Sequence, residues 1–170
     1  MKLKFLSPLF ILSIGCLTPV ITSAQIVQAC SDEPMLISQV QTGNAAISMG
    51  EATDLVNGWL TAKSRIFGPP FDERTLASYT TGTLYVDTLK AMDFLIENDG
   101  YYEYGVQKIE SVDQFASSGQ RATIEVRVTE DSTFYKNGQV ADSSFNTKRV
   151  RYKLEYRENG WKISDFQILN

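Results

Sequence analysis

Two hydrophobic periods divide the chain. Ala52, Leu55, Val56, Trp59, Leu60, Ile66 and Phe67 recur at the 3.6-residue spacing of a helix, with Asp54, Asn57, Thr61 and Arg65 on the opposite side. Ser48-Met49-Gly50-Glu51 stands ahead of that stripe with the spacing of a capping box, in which hydroxyl and carboxylate satisfy each other's free backbone N–H groups. Gly68-Pro69-Pro70 ends the helix. Asp72 predicts the cap of a short second helix reaching about Tyr79. A third spans Thr83 to Asn98, with Tyr85, Leu89, Met92, Leu95 and Ile96 as its stripe and Asp99-Gly100 as its stop.

From Tyr101 the period becomes two. Tyr102, Tyr104 and Val106 alternate with Tyr101, Glu103 and Gly105. The phase then shifts so that Ile109 and Val112 look inward, which predicts a bulge or bend near Gly105 to Lys108. Ala122, Ile124, Val126 and Val128 alternate with Arg121, Thr123, Glu125, Arg127 and Thr129 in the cleanest strand of the chain. Another strand sets Val150, Tyr152, Leu154 and Tyr156 against Arg149, Arg151, Lys153 and Glu155. Asn137-Gly138 and Asn159-Gly160 both have the composition of a type I′ hairpin turn. The last strand places Trp161, Ile163, Phe166 and Ile168 inward, with a phase slip at Ser164-Asp165.

Helices first and bent strands second imply an α+β domain, with N-terminal helices packed on one face of a curved antiparallel sheet. The other face meets water. Its charges, Glu125, Arg127, Arg149, Arg151, Lys153, Glu155 and Arg157, are of mixed sign and pair across the strands as a solvated ladder.

This order of elements resembles the nuclear-transport-factor-2-like cone, whose members include dehydratases, isomerases and noncatalytic binding modules. Trp59-Leu60-Thr61-Ala62-Lys63, Gly100-Tyr101-Tyr102-Glu103-Tyr104, the run Arg121 to Glu130, Val150-Arg151-Tyr152-Lys153-Leu154 and Gly160-Trp161-Lys162-Ile163 carry a narrower likeness. Together they resemble the C-terminal intermembrane-space domain of the chloroplast-division J-like proteins and their cyanobacterial relatives, over about Gly50 to Leu169. The resemblance implies a noncatalytic domain on the far side of a membrane that binds the tail of a membrane-anchored partner. A protein or peptide partner in the cell envelope is therefore expected.

The front of the chain carries an export signal. Lys2 and Lys4 precede an apolar stretch from Phe5 to about Ile21, and Thr22-Ser23-Ala24 offers small residues for cleavage ahead of Gln25. Residues 1–24 are read as this signal, 25–47 as a flexible leader and 48–170 as one cone-shaped domain. Cys16 and Cys30 each weakly resemble the cysteine of a lipoprotein signal. Cleavage after Ala24 leaves Cys30 alone, with no intramolecular disulfide to form. The expected location is periplasmic or secreted, with membrane attachment only through an uncleaved signal or an acylated Cys30. Two of the 16 basic residues and none of the 20 acidic ones lie in residues 1–24, so the processed chain carries a net charge of −6. An acidic domain lacks the basic footprint that nucleic-acid binding needs.

The chain has no histidine. The commonest proton-transfer group and metal ligand near neutral pH is thus missing, and no metal or cofactor is expected. There is no Ser-His or Cys-His pair and no glycine-rich phosphate loop. An enzyme here would have to be an isomerase or dehydratase built from carboxylates and tyrosines, with Asp87, Asp93, Glu103, Tyr85 and Tyr104 available. A small-molecule or lipid carrier using the cone's interior is the other alternative. The open end of a cone is where aromatic side chains with polar tips serve a ligand, which makes Trp59, Lys63, Tyr85, Tyr102, Tyr104 and Trp161 the candidate binding residues. Each aromatic taken singly also fits a core position. Lys63, one turn after Trp59, is expected to snorkel from the core edge, with a carboxylate partner at the pocket mouth as the alternative.

Overall fold

The computed structural model describes residues 46–169. The expected export signal, both cysteines and nearly all of the expected leader lie outside the described residues. Helices α1 (Met49–Ile66), α2 (Glu73–Tyr79) and α3 (Gly82–Glu97) precede four strands, β1 (Gly100–Ser118), β2 (Arg121–Lys136), β3 (Gln139–Arg157) and β4 (Gly160–Leu169). The strands form one antiparallel sheet in the order β1-β2-β3-β4, with the helices on one face. This is the α+β architecture that the change of period implies. Among the described residues no helix is long and apolar enough to cross a membrane.

Local chemistry sets the helix starts. The Ser48 N–H donates to the Glu51 carboxylate while the Glu51 N–H donates to the Ser48 hydroxyl, so the capping box closes in both directions. Asp72 accepts the Thr75 N–H at the head of α2. Ile47, the last residue assigned to the leader, is buried in the core, so packing begins ahead of the capping box.

Ala122, Ile124, Val126 and Val128 of β2, Val150, Tyr152 and Leu154 of β3, and Ile163 of β4 are buried in one cluster with Val56, Trp59, Leu60 and Ile66 of α1. The face of α3 is rotated from the expected stripe. Leu84, Thr88, Met92 and Leu95 are buried, Tyr85 and Leu89 are half-buried, and Ile96 faces solvent. Apolar residues occupy so much of the α3 circumference that the period identifies the helix without fixing its rotation.

Bulges bend the sheet where the phase slips. Register shifts interrupt the β1–β2 ladder between Tyr104 and Gln107, Ile109 and Ser111, and Val112 and Gln114. Gly105 permits the first of these, because a Cβ there would collide with the Asp131 side chain. Within the bulge Val106 turns to solvent instead of joining Tyr102 and Tyr104. In β4, Ser164 is the extra residue between the pairs Leu154–Ile163 and Lys153–Asp165.

The outer face carries the predicted ladder, with one difference. Arg151 Nε donates to Glu125 Oε1 at 2.7 Å and Arg149 Nη2 to Oε2 at 3.3 Å. Glu125 is only 5% exposed. The two guanidinium groups cover their carboxylate, so it is buried although it lies on the outer face of the sheet.

Asn137 and Gly138 are both left-handed, at φ +52° and +71°, as a type I′ turn requires. The second hairpin departs from that expectation. Only Gly160 has positive φ, +105°, and the ladder closes at Arg157–Gly160, which leaves Glu158-Asn159 as the loop. The glycine is needed for its backbone angle alone, since nothing lies within 4 Å of a Cβ placed there. Gly160→Val is expected to destabilise the domain by about 1–2 kcal/mol through left-handed strain. Urea unfolding checks this, and an unchanged midpoint would contradict the assigned turn.

Candidate functional site

Trp59 and Lys63 lie four residues apart and share the sheet-facing side of α1. Leu84 and Thr88 hold the same relation on α3. Between these helices and the inner face of β2, β3 and β4 the layers leave a cavity of about 210 Å³. Val128, Val150 and Tyr152 contribute to its wall from the sheet, and Phe67 and Tyr104 also line it. Phe166 and Ile168 line it too but are half exposed, which makes them its mouth. Other depressions, beside Ala116 to Ala122, beside the β3–β4 turn and between α1 and α2, are wide open to solvent.

Three ionisable groups meet in this cavity. Glu130 follows Val128 on the inward parity of β2, and Lys148 precedes Val150 on that of β3. The Lys63 ammonium contacts one Glu130 oxygen. The Lys148 ammonium donates to the other at 3.2 Å. Lys63 Nζ also stands 5.2 Å from the centre of the Tyr104 ring, within reach of a cation–π attraction. Of the two expectations for Lys63, the carboxylate partner holds over snorkelling: the partner is Glu130, 67 residues on, and the lysine side chain is 16% exposed.

Charge and burial act against each other here. Desolvation disfavours an ionised Glu130, but the combined pull of Lys63 and Lys148 outweighs it and holds the carboxyl below its ordinary value. Burial lowers Lys63 from the usual lysine range, opposed by its contact with Glu130. The hydroxyls of Tyr104 and Tyr152 are pushed up, first by burial and then by the Glu130 charge, so both keep their protons.

The six expected binding residues divide evenly. Trp59, Lys63 and Tyr104 line the cavity. Tyr102 lies behind the wall, stacked on Tyr104 at 6.1 Å and tilted against Phe134 at 4.9 Å. The Tyr85 hydroxyl points to Glu73, accepted at 3.1 Å, away from the lining. Trp161 packs edge-on against Tyr156 at 5.8 Å, near the β3–β4 turn. Of the carboxylates named for an isomerase, Asp87 pairs with Lys90 on the surface, and Asp93 and Glu103 are exposed. None joins the cavity. Glu130, Lys148 and Tyr152 take the places that sequence reasoning left unassigned, and for Glu130 and Lys148 the available signal was their inward parity.

Glu130→Gln leaves two ammonium groups without their counter-charge and is expected to cost about 3–5 kcal/mol near neutral pH. The folded pKa of Glu130 lies below its unfolded value near 4.5. Its stabilisation is therefore complete above about pH 4.5 and is lost as pH falls through the folded value. Urea unfolding across the acid range should show a shallower acid limb in the variant. Parallel limbs would mean that the ion cluster does not form.

The sequence matches the model of the family described as ARC6-like, IMS domain over residues 52–164. The crystal structure of the intermembrane space region of the chloroplast protein ARC6 aligns with a TM-score of 0.67 at 24% identity, covering 72% of this chain and 97% of that one. An NTF2-like protein with a cystatin-like fold from Novosphingobium aromaticivorans aligns at a TM-score of 0.38 and 10% identity, over 70% of this chain and 79% of that one. A cystatin-like protein of unknown function from Nostoc punctiforme gives 0.37 and 11%, over 69% and 86%. No curated protein sequence matches the chain significantly.

Proposed function

Since the chain belongs to the ARC6-like IMS domain family, we propose that its cone is a noncatalytic module that works outside the cytoplasm and receives the tail of a protein partner at the cavity mouth. One observation carries this reading: Glu130, the carboxylate in the cavity wall, is already held by two ammonium groups. A general base must be free to take a proton and an acid poised to give one. Glu130 is held ionised, and the buried tyrosines hold their protons. The mouth, by contrast, is built for contact. Phe166 and Ile168 are 45% and 51% exposed beside the cavity, and apolar area left in water next to a concavity favours docking. The signal-like pattern of residues 1–24, together with the intermembrane-space origin of the ARC6 region, supports the location.

Capture from solubilised envelope proteins tests the partner. The wild-type chain is expected to retain a membrane-anchored protein through its terminal segment at micromolar concentration, and Phe166→Asp is expected to lose it without a change in folding. Retention of nothing, or of the same proteins by both forms, would contradict the reading. N-terminal sequencing of the fractionated protein tests the location. A start at Gln25 or an acylated Cys30 is expected, and full-length chain in the cytosol would overturn export.

A further inference from the structure

β3 is longer than the strand beside it. β4 covers its far edge only from Arg149 to Arg157, and the regular ladder with β2 ends at Asp142, where the bulge at Ala141 begins. Between those limits, Asp142 to Lys148 pairs with β2 on one side and, among the described residues, with no strand on the other. From Asp142 to Thr147 every residue except Ser144 is exposed, and Phe145, at 70%, is the most exposed large apolar side chain among the described residues.

The alternation of an antiparallel ladder decides which backbone groups this edge offers. The Tyr156 N–H donates to the Gln120 C=O, so counting back by twos aims the even residues of β3 at β2 and the odd ones away from it. The register runs without a shift from Glu155 to Asp142, so the count holds along the whole stretch. Ser143, Phe145 and Thr147 therefore turn their N–H and C=O groups to the free edge. The Ser143 N–H agrees, since the acceptor it finds is the neighbouring Asp142 carboxylate at 2.9 Å. Edge strands are ordinarily blunted by proline, lysine or a bulge, and Ser143 to Thr147 holds none of these.

An occupant of this edge must be an extended strand, with a cation opposite Asp142 and an anion opposite Lys148. The edge meets that requirement itself. Run antiparallel to a copy about a two-fold axis at Phe145, the stretch sets Asp142 against Lys148 of the copy at both ends, Ser143 against Thr147, Ser144 against Asn146, and Phe145 against Phe145. The odd residues, which hold the free backbone groups, then lie directly opposite one another and exchange both hydrogen bonds. Asp142 and Lys148 oppose Phe134 and Val128 of β2 and share the inward parity, so each ion pair falls on one face of the joined sheet. We infer that two copies of this chain associate through the Asp142–Lys148 edge, β3 against β3, in an isologous antiparallel dimer with one continuous sheet. The contact uses neither Phe166 nor Ile168 and stands apart from the docking of a protein tail.

Sedimentation of the intact chain from about 1 to 100 μM tests the association. A monomer–dimer equilibrium is expected within that range, and added salt is expected to weaken it by screening the end pairs. Ser143→Pro removes an N–H that β2 does not use, and is expected to weaken dimerisation about tenfold or more with the urea unfolding midpoint unchanged. Asp142→Lys sets like charges opposite each other at both ends; it is expected to weaken dimerisation as much, and salt should now strengthen what remains. A monomer at every concentration, or a dimer indifferent to both variants, would overturn the inference. So would a monomeric chain that captures an envelope protein and loses it with Ser143→Pro, which would assign the edge to a strand of that protein.

Discussion

A carboxylate held between two ammonium groups ties the helical layer to the sheet. Lys63 comes from α1, Glu130 from β2 and Lys148 from β3, so the cluster spans three elements. Such a cluster is weak evidence for stability, because well-packed apolar side chains can often replace a buried ion pair at no loss. Its effect is geometric. Buried charges must stay paired, which keeps α1 at one height and rotation over the sheet and keeps Trp59 and Lys63 on the cavity side. The apolar cluster of α1 against β2, β3 and β4 supplies the stability; the ions determine what is left open within it.

Curvature does the rest. Long antiparallel strands give the cone its wall, and bulges at Gly105, along the rest of β1 and at Ser164 bend it. The bulge in β4 resets the parity after Ile163, which is how Phe166 and Ile168 come to line the cavity. The same irregularities break up β1 as an edge. A strand with three register shifts, bearing Lys108 and Glu110, is a poor template for pairing with another chain.

Features with local causes were legible in the sequence. The capping box of α1, the Asp72 cap, the Asn137-Gly138 turn and the slips near Gly105 and Ser164 each depend on a few adjacent residues, and each stands where the sequence places it. Features that depend on tertiary approach were not. The rotation of α3 is set by what lies beneath it, so Thr88 is buried while Ile96 is not. The Asn159-Gly160 pair suits more than one turn, and the ladder register decided between them. At the site, Trp59, Lys63 and Tyr104 were found through helix spacing and strand parity, whereas Tyr85 and Trp161 are aromatic residues whose packing takes them elsewhere. The contact between Lys63 and Glu130 crosses 67 residues, and no local pattern announces it.

The central claim is that the cone keeps an open, mostly apolar cavity under α1, bordered by the Lys63–Glu130–Lys148 ion cluster. Xenon under pressure tests it most directly, since xenon enters dry apolar voids and is visible in diffraction. The account predicts xenon in crystals of the protein between Trp59, Val150 and Phe166, with Lys63 and Lys148 still on Glu130. Absence of xenon, with Trp59 or Phe67 turned inward to fill the space, would contradict it.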